Sequence, residues 1–204
     1  LKNTVSVYND RLGGLSNLTV VARLYDLSSK KLATWTVHGV NVVGDGVACD
    51  VMRLSFPEKI SPVHFIALEL RDAKGAVLSK NFYWRSTAGY VEGTLTGPCA
   101  SGFESLASMP KAKVKASMVK RSSDGVLYYD VTLRNGSSKI AFFNEVLLLG
   151  DDGLPVPYTF TSDNYFTLLP GESQKVTLEI AREDAPSRPV VHVEGWNVAE
   201  SVLR

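Results

Sequence analysis

Histidine is a versatile catalytic and metal-binding side chain, and the sequence contains three of them, His38, His64 and His192. No two lie one to four residues apart, so no local pair has the spacing of neighbouring metal ligands. Alternation along the chain places His38 and His192 on mixed faces, whereas His64 shares a face with Ile66 and Leu68. We therefore expect ordinary surface or edge histidines, with no metal site and no cofactor.

The two cysteines, Cys49 and Cys99, allow two interpretations. One is a long-range disulfide in an extracytoplasmic protein, and the other is a pair of unconnected thiols. Structural zinc usually takes four nitrogen or sulfur ligands, and neither cysteine has a close cysteine neighbour, so a zinc site is not expected. The sequence leaves the choice between disulfide and free thiols open.

The carboxylates and hydroxyls form no recognisable catalytic motif. The chain lacks the Gly-x-Ser-x-Gly elbow of serine hydrolases and the glycine-rich phosphate loop. A retaining glycosidase needs two carboxylates about 5–5.5 Å apart, but Asp151 with Asp152 and Glu183 with Asp184 lie in polar, turn-like stretches. Asp163 lies at the predicted mouth of a strand, where Asp commonly caps the backbone. We assign no catalytic residue.

The aromatic residues are better candidates for a binding role. Trp35, Trp84 and Trp196 lie in strand-like runs, and residues 82–84 and 165–166 form aromatic clusters. A planar row of exposed rings on one sheet would stack on sugar faces, as in a carbohydrate-binding module. The alternative is burial in a sandwich core or an interdomain contact, both of which are rich in aromatic residues.

The elements that must position these residues are predicted to be strands, because the dominant period of the sequence is two. Apolar and polar residues alternate in ranges 18–25, 51–56, 130–134 and 175–180, as in antiparallel strands with one buried face. Asp- and Gly-rich turns such as residues 72–75 separate the runs. No segment keeps a helical period over three turns, so the sequence predicts an all-β protein built from β-sandwiches.

The alternation fades between Arg85 and Pro110, where small and turn-forming residues predominate. A structureless loop of this length inside one domain would be unusual, so a domain boundary explains the stretch better. We predict a sandwich in residues 1–86, a linker in residues 87–109 and a second sandwich in residues 110–204.

Composition excludes several classes of protein. The 204 residues are 45% hydrophobic and 21% charged, which is typical of a globular chain, and the net charge is only +1. We therefore expect no nucleic-acid partner, which would require a clustered basic surface, and no membrane span, since no apolar run approaches about 20 residues. The chain starts at Leu1 without a signal segment, so we expect a processed chain or a fragment.

Several stretches together resemble family 2 glycoside hydrolases of the exo-β-D-glucosaminidase and plant-type mannosylglycoprotein endo-β-mannosidase kinds. In the first half they resemble the immunoglobulin-like domain behind the catalytic barrel, and in the second half the last sandwich domain. The matching stretches are residues 5–10, 18–26, 69–75 and 81–85, then 140–143, 162–166, 168–172 and 193–197.

The resemblance implies two tandem immunoglobulin-like antiparallel β-sandwiches that form the non-catalytic C-terminal portion of a large retaining enzyme. The chain is too short for a (β/α)₈ barrel of roughly 250 residues, so the family's two catalytic glutamates have no matching positions. Whether the parent hydrolyses glucosaminides or mannosides stays open.

The implied partners are the catalytic barrel and the N-terminal domains of the same enzyme, in cis or as separate chains, with an oligosaccharide as a further candidate. The implied localisation is secreted, periplasmic or vacuolar. Alternative functions are a carbohydrate-binding module with exposed aromatics and a cell-surface immunoglobulin-like interaction protein. The candidates for interdomain or cleft-rim contacts are Phe82, Tyr83, Trp84, Asp163, Asn164, Tyr165 and Phe166.

Overall fold

The structure is a computed structural model that describes residues 3–87 and 102–204. It divides the chain into two compact units, Leu1–Met109 (unit 1) and Pro110–Arg204 (unit 2). The described residues form antiparallel sheets with two short 3₁₀ helices, Glu104–Ser108 and Arg182–Asp184, so the predicted all-β class with two tandem immunoglobulin-like sandwiches is confirmed. Cys99 and most of the predicted linker lie outside the described residues.

Unit 1 contains six strands in the described residues. They are β1 (Thr4–Asn9), β2 (Leu15–Asp26), β3 (Lys31–Val42), β4 (Val47–Arg53), β5 (Val63–Arg71) and β6 (Val77–Ser86). One sheet has the order β3-β2-β5-β6, and β1 pairs with β4 in a second, two-stranded sheet.

Unit 2 contains eight strands. They are β7 (Val114–Ser123), β8 (Val126–Asn135), β9 (Ala141–Leu149), β10 (Phe160–Thr161), β11 (Phe166–Leu168), β12 (Ser173–Ala181), β13 (Val190–Gly195) and β14 (Val198–Leu203). They form two four-stranded sheets, with the orders β10-β12-β8-β7 and β11-β9-β13-β14.

The alternating pattern of β2 explains the core of unit 1. Its apolar positions Leu18, Val20, Ala22 and Leu24 are all buried, and they lie in one cluster with residues of β1, β3 and β5. Burying one such side chain contributes about 1.5–3 kcal/mol for a residue of the size of Val or Leu. The β5–β6 hairpin closes at Gly75, where a φ of 84° suits glycine.

The core of unit 2 is likewise formed by the alternating apolar positions of its strands. The inward-facing residues of β8 and β12 are almost completely buried, and their ladder runs in register from Ser173 opposite Arg134 to Ala181 opposite Val126. The second sheet supplies Val146 and Leu148 to the same cluster. Each unit therefore has a hydrophobic cluster of its own.

No helix in residues 3–87 or 102–204 has the length and apolar character needed to cross a membrane.

Candidate functional site

The aromatic run of β6 does not form one platform, because successive residues of a strand point to opposite faces. Tyr83 pairs with the core residue Ile66, whereas Phe82 and Trp84 lie on the other face of the sheet. Phe82 stacks on Phe65 with ring centroids 5.5 Å apart. The three predicted site residues of β6 are thus divided between two surfaces of unit 1.

A groove of about 340 Å³ lies beside Tyr83. It runs between β1 and β6, each of which is the edge strand of its sheet. Its apolar lining includes Leu68 and Leu70, and its polar lining includes Ser79 and Asn81. The groove is therefore lined by both apolar and polar side chains.

The buried carboxylate near this groove serves the structure. Glu69 is 7% exposed and accepts hydrogen bonds from Arg23 at 2.6 Å and from Arg71. Burial by itself would raise the pKa of Glu69, but the hydrogen bonds from the two guanidinium groups outweigh it and hold that pKa below its usual value. A carboxylate that stays ionised between two arginines is a poor proton donor or acceptor.

The predicted segment 162–166 joins the two sheets of unit 2. Ser162 exchanges hydrogen bonds with Thr177 of β12, at 3.0 Å through its backbone N–H and at 2.9 Å through its hydroxyl oxygen. Two residues later, the Asn164 side-chain oxygen accepts from the backbone N–H of Val146 in β9 at 2.8 Å, and its amide donates to the Val146 carbonyl at 3.2 Å. Asn164 therefore connects the segment 162–166 to β9.

Asp163, another predicted site residue, has a carboxylate oxygen that accepts a hydrogen bond from the Gln174 side-chain amide at 3.2 Å. Phe166 pairs with Asn144 across the β11–β9 ladder. The Asn144 amide donates to the backbone carbonyls of Ala141 and Phe166 at 2.8 and 2.9 Å. These contacts fix the backbone on either side of Tyr165.

Tyr165 is the member of this segment that presents an aromatic ring to solvent. It is 52% exposed, its φ is 57°, and its ring lies 5.2 Å from that of Phe143, whose φ is 54°. The Tyr165 hydroxyl donates to Glu145 at 2.6 Å. This hydrogen bond to the carboxylate raises the pKa of Tyr165, so the phenol stays protonated. Two aromatic residues in the left-handed region carry a conformational cost that the neighbouring contacts must offset.

Trp196 lies on the neighbouring β13–β14 connection. It is 53% exposed, and its backbone N–H donates to the carbonyl of Phe142 at 3.0 Å. The next residue, Asn197, is almost fully buried, and its side chain bonds to the backbones of Pro110, Ile140 and Phe142 at 2.8–2.9 Å. These contacts anchor the turn that carries the indole.

We define the aromatic patch as Phe143, Tyr165 and Trp196. Of the residues predicted for interdomain or cleft-rim contacts it contains only Tyr165, and Trp196 is one of the three tryptophans considered for a carbohydrate-binding module. The sequence did not indicate Phe143 or Glu145 as site residues. The motifs at 140–143 and 193–197 were visible, but their proximity depends on the pairing of β13 with β9, which places Gly195 opposite Asn144.

Of the two acidic pairs considered from the sequence, Asp151 with Asp152 is engaged in hydrogen bonds, whereas Glu183 with Asp184 lies in the second short 3₁₀ helix. Asp151 accepts from the Arg188 backbone N–H at 3.0 Å and from the Ser187 hydroxyl at 2.6 Å, and Asp152 accepts from the Leu154 backbone N–H at 3.0 Å. Within residues 3–87 and 102–204, no group of three His, Cys, Asp or Glu side chains is placed to hold a metal ion.

Two family models match the chain. One is described as the exo-β-D-glucosaminidase Ig-fold domain and matches residues 96–198, and the other, the mannosidase Ig/CBM-like domain, matches residues 2–88. An exo-β-D-glucosaminidase of Streptomyces avermitilis is 30% identical over 214 residues, covering 98% of this chain and 24% of that protein. One from Hypocrea virens is also 30% identical, over 218 residues, covering 100% of this chain and 24% of that protein.

A similar fold occurs in the exo-chitosanase of Amycolatopsis orientalis, whose structure was solved in complex with PNP-β-D-glucosamine. The superposition has a TM-score of 0.86 at 25% identity and covers 98% of this chain and 25% of the exo-chitosanase chain. The present chain thus spans about a quarter of the length of the relatives it matches.

Proposed function

This chain belongs to the family of exo-β-D-glucosaminidase Ig-fold domains, and we propose that it is the non-catalytic β-sandwich portion of a larger exo-β-D-glucosaminidase. One observation carries this proposal: the relatives align with nearly all of the chain, yet the chain accounts for only 24% of their length. The remaining three quarters of such a protein have ample room for a catalytic barrel.

The described residues support a non-catalytic role. They form two sandwiches with antiparallel ladders and contain no βα repeat from which a barrel could be built. Glu69, Asp151 and Asp152 are all engaged in structural hydrogen bonds. We propose that the chain is the C-terminal portion of a family 2 glycoside hydrolase. It would pack on the catalytic barrel and support that barrel during hydrolysis of β-glycosides.

The relatives favour an amino sugar over a mannoside as the parent's substrate. The relatives named above are an exo-chitosanase and exo-β-D-glucosaminidases, whereas the mannosidase description belongs to the model that matches unit 1. We further propose that the parent acts outside the cytoplasm, because a polymer of glucosamine must be degraded where the polymer lies.

The test compares three preparations on p-nitrophenyl β-D-glucosaminide: the 204-residue chain, the parent enzyme, and the parent from which this portion has been deleted. We expect no turnover by the chain alone. We also expect the deleted parent to lose thermal stability and activity, because the barrel surface that this portion covers becomes exposed.

Active-site-dependent turnover by the pure chain would overturn the non-catalytic assignment. A deleted parent with unchanged melting temperature and unchanged kcat/KM would overturn the supporting role. The matched control is a parent in which the exposed surface residue Ser117 is changed to Ala, which should behave as the unmodified enzyme does.

A further inference from the structure

The aromatic patch continues onto the outer face of the sheet β11-β9-β13-β14. Val146 of β9 and Val193 of β13 are buried and face the core. Their sequence neighbours Glu145 and Glu194 therefore face outward. These two glutamates lie directly opposite each other in the β9–β13 ladder. Carboxylates in such a pair repel each other, and a cation bound between them would relieve the repulsion.

The charge of this face is one-sided. Its four strands, all described by the structure, contain the carboxylates of Glu145, Glu194 and Glu200 and no lysine or arginine. The Glu200 side chain is 61% exposed, and its Oε1 lies 3.1 Å from Nε2 of His192, the one histidine in these strands. The opposite sheet of unit 2 has five cationic residues against two acidic ones, namely Lys115, Lys120, Arg121, Arg134 and Lys175 against Asp130 and Glu179.

We propose that this outer face, with Tyr165 and Trp196 at one end and Glu145, Glu194 and Glu200 along it, is an auxiliary binding surface for oligomers of β-linked glucosamine. The inference rests on the proposed function, which makes an amino-sugar polymer the substrate of the parent. It goes further by placing a contact with that polymer on unit 2.

The chemistry of both partners supports this occupant. The apolar face of a pyranose ring stacks on an exposed aromatic side chain, and a protonated amine near the ring is attracted to its π-face. Tyr165 and Trp196 each present about half of their surface. The amines of a deacetylated oligomer recur along the chain, as the carboxylates recur across the adjacent strands β9, β13 and β14. An uncharged sugar would stack on the rings but would place no cation between Glu145 and Glu194.

The hydrogen bond from Tyr165 to Glu145 prepares the surface. The hydroxyl lies 2.6 Å from Oε1 of Glu145, which restricts the tyrosine side chain, so less side-chain freedom is lost when a ligand binds. The contact between the rings of Phe143 and Tyr165 restricts the tyrosine ring further.

The test is calorimetric titration of the 204-residue chain with a fully deacetylated glucosamine hexamer at mildly acidic pH. The fully N-acetylated hexamer and a lysine hexamer serve as comparison ligands. We expect saturable binding of the deacetylated sugar, weakened by added salt, with much weaker binding of both comparison ligands. Equal binding of the lysine hexamer would show attraction by charge alone and would overturn the proposal, as would no binding of the deacetylated hexamer.

Variants locate the binding surface. Trp196→Ala and Glu194→Gln should each weaken binding by about fivefold to tenfold, as expected for loss of one stacking or cationic contact. Tyr158→Ala removes an aromatic ring of unit 2 that is 89% exposed and lies outside the patch, and it should leave binding unchanged. Thermal melting of each variant verifies that it is folded. Unchanged affinity in the folded Trp196 and Glu194 variants would overturn the assignment.

The binding test of the auxiliary surface and the deletion test of the supporting role can fail independently. If the deleted parent loses stability but the chain binds no glucosamine oligomer, the supporting role stands and the auxiliary surface is wrong. If the chain binds the oligomer but its deletion leaves the parent unchanged, the surface stands and the supporting role is wrong.

Discussion

At the scale of single residues, the buried imidazole of His64 gives the chain a dependence on pH. His64 is 3% exposed and lies edge-on to Phe56 with ring centroids 5.3 Å apart. Burial, assisted by the nearby positive charge of Arg85, lowers the pKa of His64 below its usual value. The expectation of a surface or edge histidine was wrong at this position, because the first residues of β5 are buried on both faces.

The consequence for stability follows from the direction of that shift. As the pH falls through about 6.5, the unfolded chain takes up a proton at His64 while the folded chain resists it, so the free energy of unfolding decreases. We predict that unit 1 has a smaller free energy of unfolding in urea at about pH 5 than at about pH 7.5, and that His64→Leu reduces this difference. His38→Gln, at an exposed imidazole, is the control and should retain the full difference. An unaltered pH dependence in His64→Leu would contradict the prediction.

Asn197 illustrates how one polar side chain holds the turn that carries Trp196. Truncation in Asn197→Ala leaves the carbonyls of Pro110 and Ile140 and the N–H of Phe142 without this partner. We predict a loss of about 3 kcal/mol in the free energy of unfolding of unit 2, measured by urea denaturation. Ser117→Ala at an exposed position of β7 should change it by no more than about 0.5 kcal/mol. Similar small losses in both variants would disprove the anchoring role.

At the scale of elements, the connection after β1 and the turn between β3 and β4 lock together through main-chain contacts. The Asp45 N–H donates to the Arg11 carbonyl at 3.0 Å, and the Gly46 N–H donates to the Asn9 carbonyl at 2.9 Å. A Cβ on Gly44 would overlap the backbone oxygens of Leu12 and Arg11. Only glycine allows the two segments to approach this closely.

We therefore predict that Gly44→Ala destabilises unit 1 by about 2 kcal/mol or more. Gly13→Ala is the matched control, since a Cβ there meets no atom within 4 Å. The melting temperatures of the two variants provide the measurement. Equal melting temperatures would mean that the backbone shifts at little cost and that the close approach is unimportant.

The strands themselves were predictable from the sequence, because a period of two with one apolar face has few other solutions. The buried positions of β12 follow directly from alternation, whereas β2 also buries Val21 and Tyr25 on its other face. The candidate site was less predictable, since Tyr165, Glu145 and Trp196 come from three separate segments. Their proximity depends on ladder register and on the left-handed backbone at Phe143 and Tyr165, which bulky side chains rarely adopt and which alternation does not reveal. On β6 the sequence grouped Phe82 to Trp84, whereas the pleat separates them.

At the scale of the whole molecule, each unit has a hydrophobic cluster formed by its own strands. We predict that residues 110–204 expressed alone fold cooperatively, because the cluster of unit 2 is built from strands of both of its sheets. Near- and far-ultraviolet circular dichroism during urea titration should show coincident transitions. A far-ultraviolet signal without a cooperative transition would mean that unit 2 depends on the rest of the chain.

The opposite charges on the two sheets of unit 2 make it a permanent electric dipole directed through the thickness of the sandwich. From its net charge of only +1, the chain would be expected to bind weakly to both cation and anion exchangers. Retention on an ion exchanger, however, depends on the charge of the protein surface that contacts the resin rather than on the net charge. Unit 2 is therefore suited to adsorb on both anionic and cationic supports at the same neutral pH, with a different sheet turned toward each.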